Sequence, residues 1–194
     1  MKVLIDNGHG SNTAGKCSPD RSLREYTWAR EIASRLVDEL KKRSIDAERI
    51  VTEETDISLR ERCRRVNTIC AKLGAKNVIL ISIHINAAKS DGRWHDASGW
   101  SVWIAPNASQ KSKILAQALY DEAAKRNLKG NRSVPSCRYW IGNFAIVRDT
   151  NCPAVLTENL FQDNKAEVDF LKSEKGKQEI INLHADAIQK YISL

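Results

Sequence analysis

Three short runs of this sequence end in residues that do chemistry. VLIDNGHG sets His9 between Gly8 and Gly10, just past the apolar Val3, Leu4 and Ile5. ILISIHIN carries His84 near its end, and AVLTEN carries Glu158. Each residue follows an apolar stretch of strand length, which predicts three strands delivering them to one edge. Open α/β sheets collect their sites at the carboxyl ends of strands. A single histidine at such a place is more often a hydrogen-bonded structural group than a ligand. Two imidazoles and a carboxylate together are a different matter, because they form the donor set of a catalytic metal site whose fourth position is left to water. Glu158 lies between Ala154, Val155 and Leu156 on one side and Leu160 and Phe161 on the other. A carboxylate there is costly unless paired, hydrated or metal-bound. A free carboxylate beside the water is the usual general base, so the site needs one more acid. Glu25 in SLREYTW, at a helix start after the loop that His9 begins, is that candidate. Its structural role would be to offset the helix dipole, for about 0.3–1 kcal/mol. Asp6 and Asp20 are further acids of the same loop.

The elements that must position these groups alternate along the chain. A strand at 2–6 leads to a helix at 24–43, with Ala29, Ile32, Ala33, Leu36, Val37 and Leu40 at helical spacing. A short strand at 47–51 precedes a helix opened by Ser58 and Glu61 at capping-box spacing. Its apolar stripe reads Leu59, Cys63, Val66, Cys70 and Leu73. The run 77–87 predicts a central strand covered on both faces, since Val78 to Ile81 are all apolar. A strand at 99–105, a helix at 109–126, a loop at 127–143, and strands at 144–148 (FAIVR) and 153–159 follow. Two helices close the chain, the first starting near Asn164. The order predicts an α/β fold: a single domain over 1–194, with about six strands in a mostly parallel twisted sheet flanked by helices on both faces, phosphorylase/hydrolase-like in type. Loops 88–98 and 127–143 are long enough to be functional.

Composition narrows the partners. The 194 residues hold 31 basic and 24 acidic side chains, a net charge of +7 that favours anionic partners. The densest basic cluster, RERCRR at 60–65, is interrupted by Glu61 and reads as a solvated helix face, so nucleic acid ranks last. No apolar run approaches the roughly 20 residues needed to cross a bilayer. The N-terminus has no signal-peptide pattern. That leaves a chain kept in the cytoplasm, one exported without a signal, or one whose leader is absent here. Five cysteines without a CxxC motif argue against a disulfide framework or a structural zinc site, and point to a reducing compartment.

Taken in order, IDNGHG, LREY, DISLRERCRRVN, SIHINA, GWSVW, FAIVR and PAVLTENLFQDN resemble the zinc-dependent N-acetylmuramoyl-L-alanine amidases of the type 3 amidase family, from about residue 2 to 192. The resemblance implies one Zn²⁺ per chain, held by His9, Glu25 and His84, with Glu158 as the catalytic glutamate and Phe161 as the aromatic of its ExxF segment. It further implies hydrolysis of the amide joining N-acetylmuramic acid to L-alanine in peptidoglycan, at the bacterial cell wall, by an autolysin or a phage lysin. Three positions depart from the family pattern: Asn7 stands for a proline, Ser11 for a glycine and Glu53 for an arginine. With Asn7 in place of a locked ring, the turn is expected to be held by hydrogen bonds. Asp6 is placed to accept one from a ligand imidazole or from the loop.

A glycan strand bearing peptides needs aromatic faces and polar groups. Trp94, His95, Arg132, Trp140 and Asn86 are the candidate substrate contacts, with Arg148 a second arginine for stem carboxylates. His184, in the last helix, reads as structural. The expected protein is a monomer without membrane insertion and without a separate wall-binding domain. Two other readings compete: a different zinc peptidase acting on peptidoglycan, such as a carboxypeptidase, and a non-catalytic peptidoglycan-binding module.

Overall fold

The computed structural model describes residues 1–194. The order is β1 (Lys2–Asn7), α1 (Glu25–Lys42), β2 (Ala47–Arg49), α2 (Leu59–Leu73), β3 (Val78–Asn86), β4 (Ser101–Ile104), α3 (Gln110–Lys125), β5 (Trp140–Ile141), α4 (Ala145–Arg148), β6 (Ala154–Phe161), α5 (Lys165–Lys172) and α6 (Glu174–Ile192). The strands form one sheet in the order β2-β1-β3-β6-β4-β5. All neighbouring pairs are parallel except β4 with β6. Strand β3 lies at the centre, and Val78 to Ile81 are fully buried, as a run apolar on both faces requires.

Alternation along the strands splits the core into two unequal layers. Val3, Ile5, Ile79, Ile81 and Ile83 pack with α1, α3, α5 and α6 in a cluster of 35 buried residues. Leu4, Val78, Leu80 and Leu156 face the other way, onto α2 and α4, in a cluster of 14. No helix is long and apolar enough to cross a membrane.

Two expectations about the later elements need correction. FAIVR is not a strand but the single helical turn α4, closed by Arg148 N–H to Phe144 O and Asp149 N–H to Ala145 O. The fifth strand is instead Trp140–Ile141, within the segment read as loop. A short apolar run satisfies either geometry, and here Ile146 and Val147 gain more by capping the α2 layer. In α2, Cys63, Val66 and Cys70 are buried as read, but Leu59 and Leu73 are exposed at its ends. Ser58 Oγ accepts from Glu61 N–H at 3.3 Å, while the Glu61 carboxylate turns to Arg64 and Arg65 rather than completing the box. All five cysteines are free thiols, and Cys63, Cys70 and Cys152 are buried as apolar groups.

His184 is fully buried in α6, with Nδ1 donating to Ile180 O at 2.8 Å and Nε2 facing the Thr157 hydroxyl at 3.1 Å. Burial pulls its pKa down to about 4. Below pH 6.5 the unfolded chain therefore takes a proton that the native imidazole refuses, and stability is lost as pH falls from 6.5 to 4. The expected loss is about 3 kcal/mol. Urea unfolding at pH 7 and pH 4 checks this: the drop should be smaller by about that amount in His184→Gln, and an equal drop in both proteins refutes it.

Candidate active site

Parallel pairing of β1 with β3 brings Asn7 beside Ile83, so the turn leaving β1 runs past the end of β3. The chain then bends sharply, with His9 in the left-handed region at φ 60°. That conformation is uncommon for a residue with a side chain, and the surroundings must impose it. Space dictates the two glycines: a Cβ on Gly8 would collide with the His84 imidazole, and one on Gly10 with the Asp56 main chain.

Hydrogen bonds do hold this turn, but none comes from the side chain of Asn7, which is buried with neither polar atom partnered. Arg62 is the clamp. Its guanidinium donates to Asn7 O at 2.7 Å, His9 O at 3.2 Å and Ile57 O at 2.8 Å, and pairs with Asp6 and Asp56. Arg30 adds a second donor to His9 O at 2.9 Å. Arg62 is only 2% exposed, so RERCRR is not wholly a solvated face. Asp6 likewise serves the clamp: it takes Arg62 and the Ser82 hydroxyl, and no imidazole. Neither role was legible in the sequence, because a buried arginine looks like its exposed neighbours. Spacing carried one hint, since Arg62 lies beside Cys63 and Val66 on the inward side of α2.

Glu25 opens α1 and is 1% exposed. Its Oε1 lies 3.1 Å from His84 Nδ1 and 3.4 Å from His9 Nε2, and accepts from Ile85 N–H at 3.0 Å. Its Oε2 is buried without a partner. Burial raises this carboxyl's pKa, but the hydrogen bonds and charges of His84 and His9 outweigh it and hold the group well below the usual carboxylate range. The two imidazoles meet edge to face, with centroids 5.0 Å apart. The donor atoms of His9, Glu25 and His84 all lie within 4.8 Å of one another. Tetrahedral zinc, about 2.0–2.2 Å from N and O ligands, sets its donors about 3.3 Å apart. The carboxylate–imidazole spacings match that, the orphaned Oε2 marks unspent bonding capacity, and two imidazoles with one carboxylate are a zinc donor set. The residues fit the ion.

Glu158 stands beside this cluster because β6 pairs it with His84 on one side and Ser101 on the other. It is half-buried, with Oε2 unpartnered. Burial pushes its pKa up to about 7, with Glu25 adding to the rise and His84, Lys16 and Arg132 opposing it. Immediately beyond, β6 bulges: Asn159 and Leu160 stand against Ile85, and Leu160 adopts φ 68°. Two side chains hold the bulge, Asn159 fully buried and Glu167 half-buried. Asn159 Nδ2 donates to His84 O at 2.9 Å and its Oδ1 accepts from Trp100 Nε1 at 2.7 Å. Glu167 accepts from Phe161 N–H and Gly99 N–H, both at 2.7 Å. Sequence reasoning missed both roles, since His84, Trp100 and Gly99 arrive from distant segments.

The candidate substrate contacts separate into two groups. Arg132 and Trp140 gather next to Glu158: the guanidinium lies 4.8 Å from the Trp140 ring and 5.4 Å from that of Phe161, and donates to Ser101 Oγ at 2.8 Å. Trp94 and His95 have partners elsewhere. Trp94 lies under Lys165 Nζ at 5.6 Å, and His95 Nε2 meets Asp91 at 2.9 Å. Asn86 turns its Oδ1 to the next N–H, at 2.8 Å, and accepts Gln162 N–H on its carbonyl. Arg148 pairs with Asp149 in a depression shared with Lys76 and Pro153, at the opposite edge of the sheet, which removes it from the site.

Comparison with known proteins places this arrangement. The family described as N-acetylmuramoyl-L-alanine amidase matches residues 3–190. The endolysin of Bacillus phage SPP1 is 27% identical over 194 residues, covering 99% of this chain and 66% of that protein. The N-acetylmuramoyl-L-alanine amidase CwlM of Bacillus licheniformis is 26% identical over 196 residues, covering 100% and 70%. The chain thus spans about two thirds of the length of these relatives. The crystal structure of an N-acetylmuramoyl-L-alanine amidase from Clostridium difficile 630 superposes with a TM-score of 0.84 at 28% identity, over 100% of this chain and 97% of that one. With the family matched almost from end to end, the chain belongs to the N-acetylmuramoyl-L-alanine amidases.

Proposed function

We propose that this chain hydrolyses the amide between the lactyl group of N-acetylmuramic acid and L-alanine in peptidoglycan, with His9, Glu25 and His84 holding one Zn²⁺ and Glu158 moving the proton. One observation carries the reading: a half-buried carboxyl, Glu158, stands in register with His84 beside a three-donor cluster. A binding module has no use for that carboxyl. Zinc, when bound, supplies Lewis acidity to water and to the amide carbonyl. Glu158 takes the proton of the attacking water. As the carbon–nitrogen bond breaks, it returns that proton to the amine of L-alanine, leaving a lactyl carboxylic acid whose own proton passes on to the amine at neutral pH. Arg132, lying over the rings of Trp140 and Phe161, keeps a positive charge near Glu158 and favours its ionised form. The Arg62 clamp fixes the main chain on both sides of His9, so the imidazole is set before substrate arrives. Action is at the bacterial cell wall, and the reading takes the chain as a monomer.

Mass spectrometry of digested peptidoglycan tests this. Free stem peptides beginning with L-alanine are expected. Shortened stems still attached to glycan would mean a carboxypeptidase, and intact muropeptides would leave only binding.

A further inference from the structure

A groove of about 390 Å³ lies between the loop joining β1 to α1 and the loop after β3. Gln162 and Asp163, just past β6, form one wall. Arg21 enters from the first loop, and Lys89 and Arg93 from the second. No carboxylate pairs with these three, whereas Arg35, Arg43, Arg65 and Arg126 on other faces each sit in ion pairs. The groove's own acid is spent on the main chain: Asp163 accepts from Ala88 N–H and Lys89 N–H. The nearby acids are engaged too, Asp20 with Ser18 and Ser22, and Asp91 with His95 and the Arg93 N–H. Gln162 is 4% exposed, and its Oε1 has no partner.

The cationic surface leads to the reacting groups. Arg21 also lines an adjoining depression with Lys16 and Arg24. Arg24 bridges to Cys17, and Lys16 O accepts the N–H of Glu25 at 3.0 Å. Cys17, which lines the groove, thus pairs with the residue preceding Glu25, and the groove continues outward as a strip of unpaired positive charge.

Resting on the amidase reading, we propose that this groove binds the free carboxylates of the peptide stem, on the leaving-group side of the scissile amide. The substrate's two halves differ in charge. The N-acetylated sugars are neutral, and the muramic carboxyl is tied up in the amide. The peptide carries the anionic groups, at its C-terminus and on acidic residues. Arg21, Lys89 and Arg93 meet those carboxylates, and Gln162 offers its amide to the peptide main chain. Stems whose carboxylates are amidated are then poorer substrates.

The probes are a synthetic stem peptide beginning with L-alanine with free carboxylates, its fully amidated counterpart, and the two muropeptides that contain them. Binding is measured by calorimetry and hydrolysis by product release, for the wild type and for Lys89→Glu/Arg93→Glu. The wild type should favour the free-carboxylate forms roughly tenfold, as two or three partly exposed ion pairs allow, and the double variant should lose that preference through KM. The same reversal at Lys111, at the far edge of the sheet, should retain it. Normal hydrolysis with no carboxylate preference, or a preference untouched by the charge reversal, overturns the groove and leaves the amidase reading intact. Carboxylate-dependent binding that the reversal abolishes, without hydrolysis, supports the groove and sinks the amidase reading. Saturation by poly(glycerol phosphate) with indifference to the stem peptides assigns the charge to a phosphate polymer and overturns the proposal.

Discussion

Replacing Glu158 with glutamine lowers kcat by roughly 10²–10⁴-fold, the usual contribution of a positioned general base, while zinc content stays at that of the wild type. Glutamine keeps the shape and hydrogen-bonding reach of the side chain but accepts no proton. The group lies across from His84 in the sheet and outside the His9–Glu25–His84 cluster, so its loss leaves the three donors in place. Glu158→Asp keeps the acid but withdraws it by one methylene, and a misplacement of that order costs roughly 10²-fold. The wild type also loses kcat/KM as pH falls and Glu158 takes up a proton. A cation bound at the neighbouring cluster moves that limb below the pKa of about 7 that burial and the surrounding side chains set together. The limb disappears in Glu158→Gln. Steady-state kinetics with metal analysis on the same preparations decide the matter, and a glutamine variant with wild-type kcat removes Glu158 from the chemistry.

Removing the imidazoles should abolish turnover by a different route. His9→Ala/His84→Ala leaves Glu25 as a single carboxylate, too few donors to retain zinc through dialysis. Melting temperature provides a readout independent of activity, because an ion that binds only the folded chain stabilises it by mass action. At a zinc concentration about 100 times the dissociation constant that is about 2.7 kcal/mol. The wild type should melt higher with added zinc and lower after chelation, and the double variant should respond to neither. The double variant need not unfold, since both rings lie half-buried at an open edge. Stoichiometric zinc bound by the double variant would eliminate the proposed ligand set.

Several features of this site were legible before any folding was considered. Strand and helix periods are local properties, and so is the place where a period stops. His9, His84 and Glu158 were each readable as a group capable of chemistry at the end of an apolar run. Glu25 was readable as an acid at a helix start. The clamp was not. Arg62 sits in a basic run whose other members, Arg60, Arg64 and Arg65, reach solvent or surface acids, and no local pattern distinguishes it. Its partners Asp6 and Asn7 lie more than fifty residues away. Asn159 and Glu167 escaped for the same reason, since their bonds go to His84, Trp100 and Gly99. The exchange of FAIVR for Trp140–Ile141 as the fifth strand has a related cause. A five-residue apolar run fits strand or helix, and what covers the α2 layer decides.

The sequence by itself determined the α/β alternation, the central strand buried on both faces and the residues presented at the strand ends, because these follow from side-chain periodicity along a short stretch of chain. The tertiary structure decided which groups meet. Parallel register set His9 beside His84, the antiparallel β4 put Ser101 next to Glu158, and the bulge in β6 turned Asn159 onto the main chain of His84. It also selected Arg62 for burial and left Arg21, Lys89 and Arg93 without partners around one groove. Such choices depend on contacts between segments far apart in the chain, where hydrogen bonds and charges are satisfied by whichever partner the fold brings near.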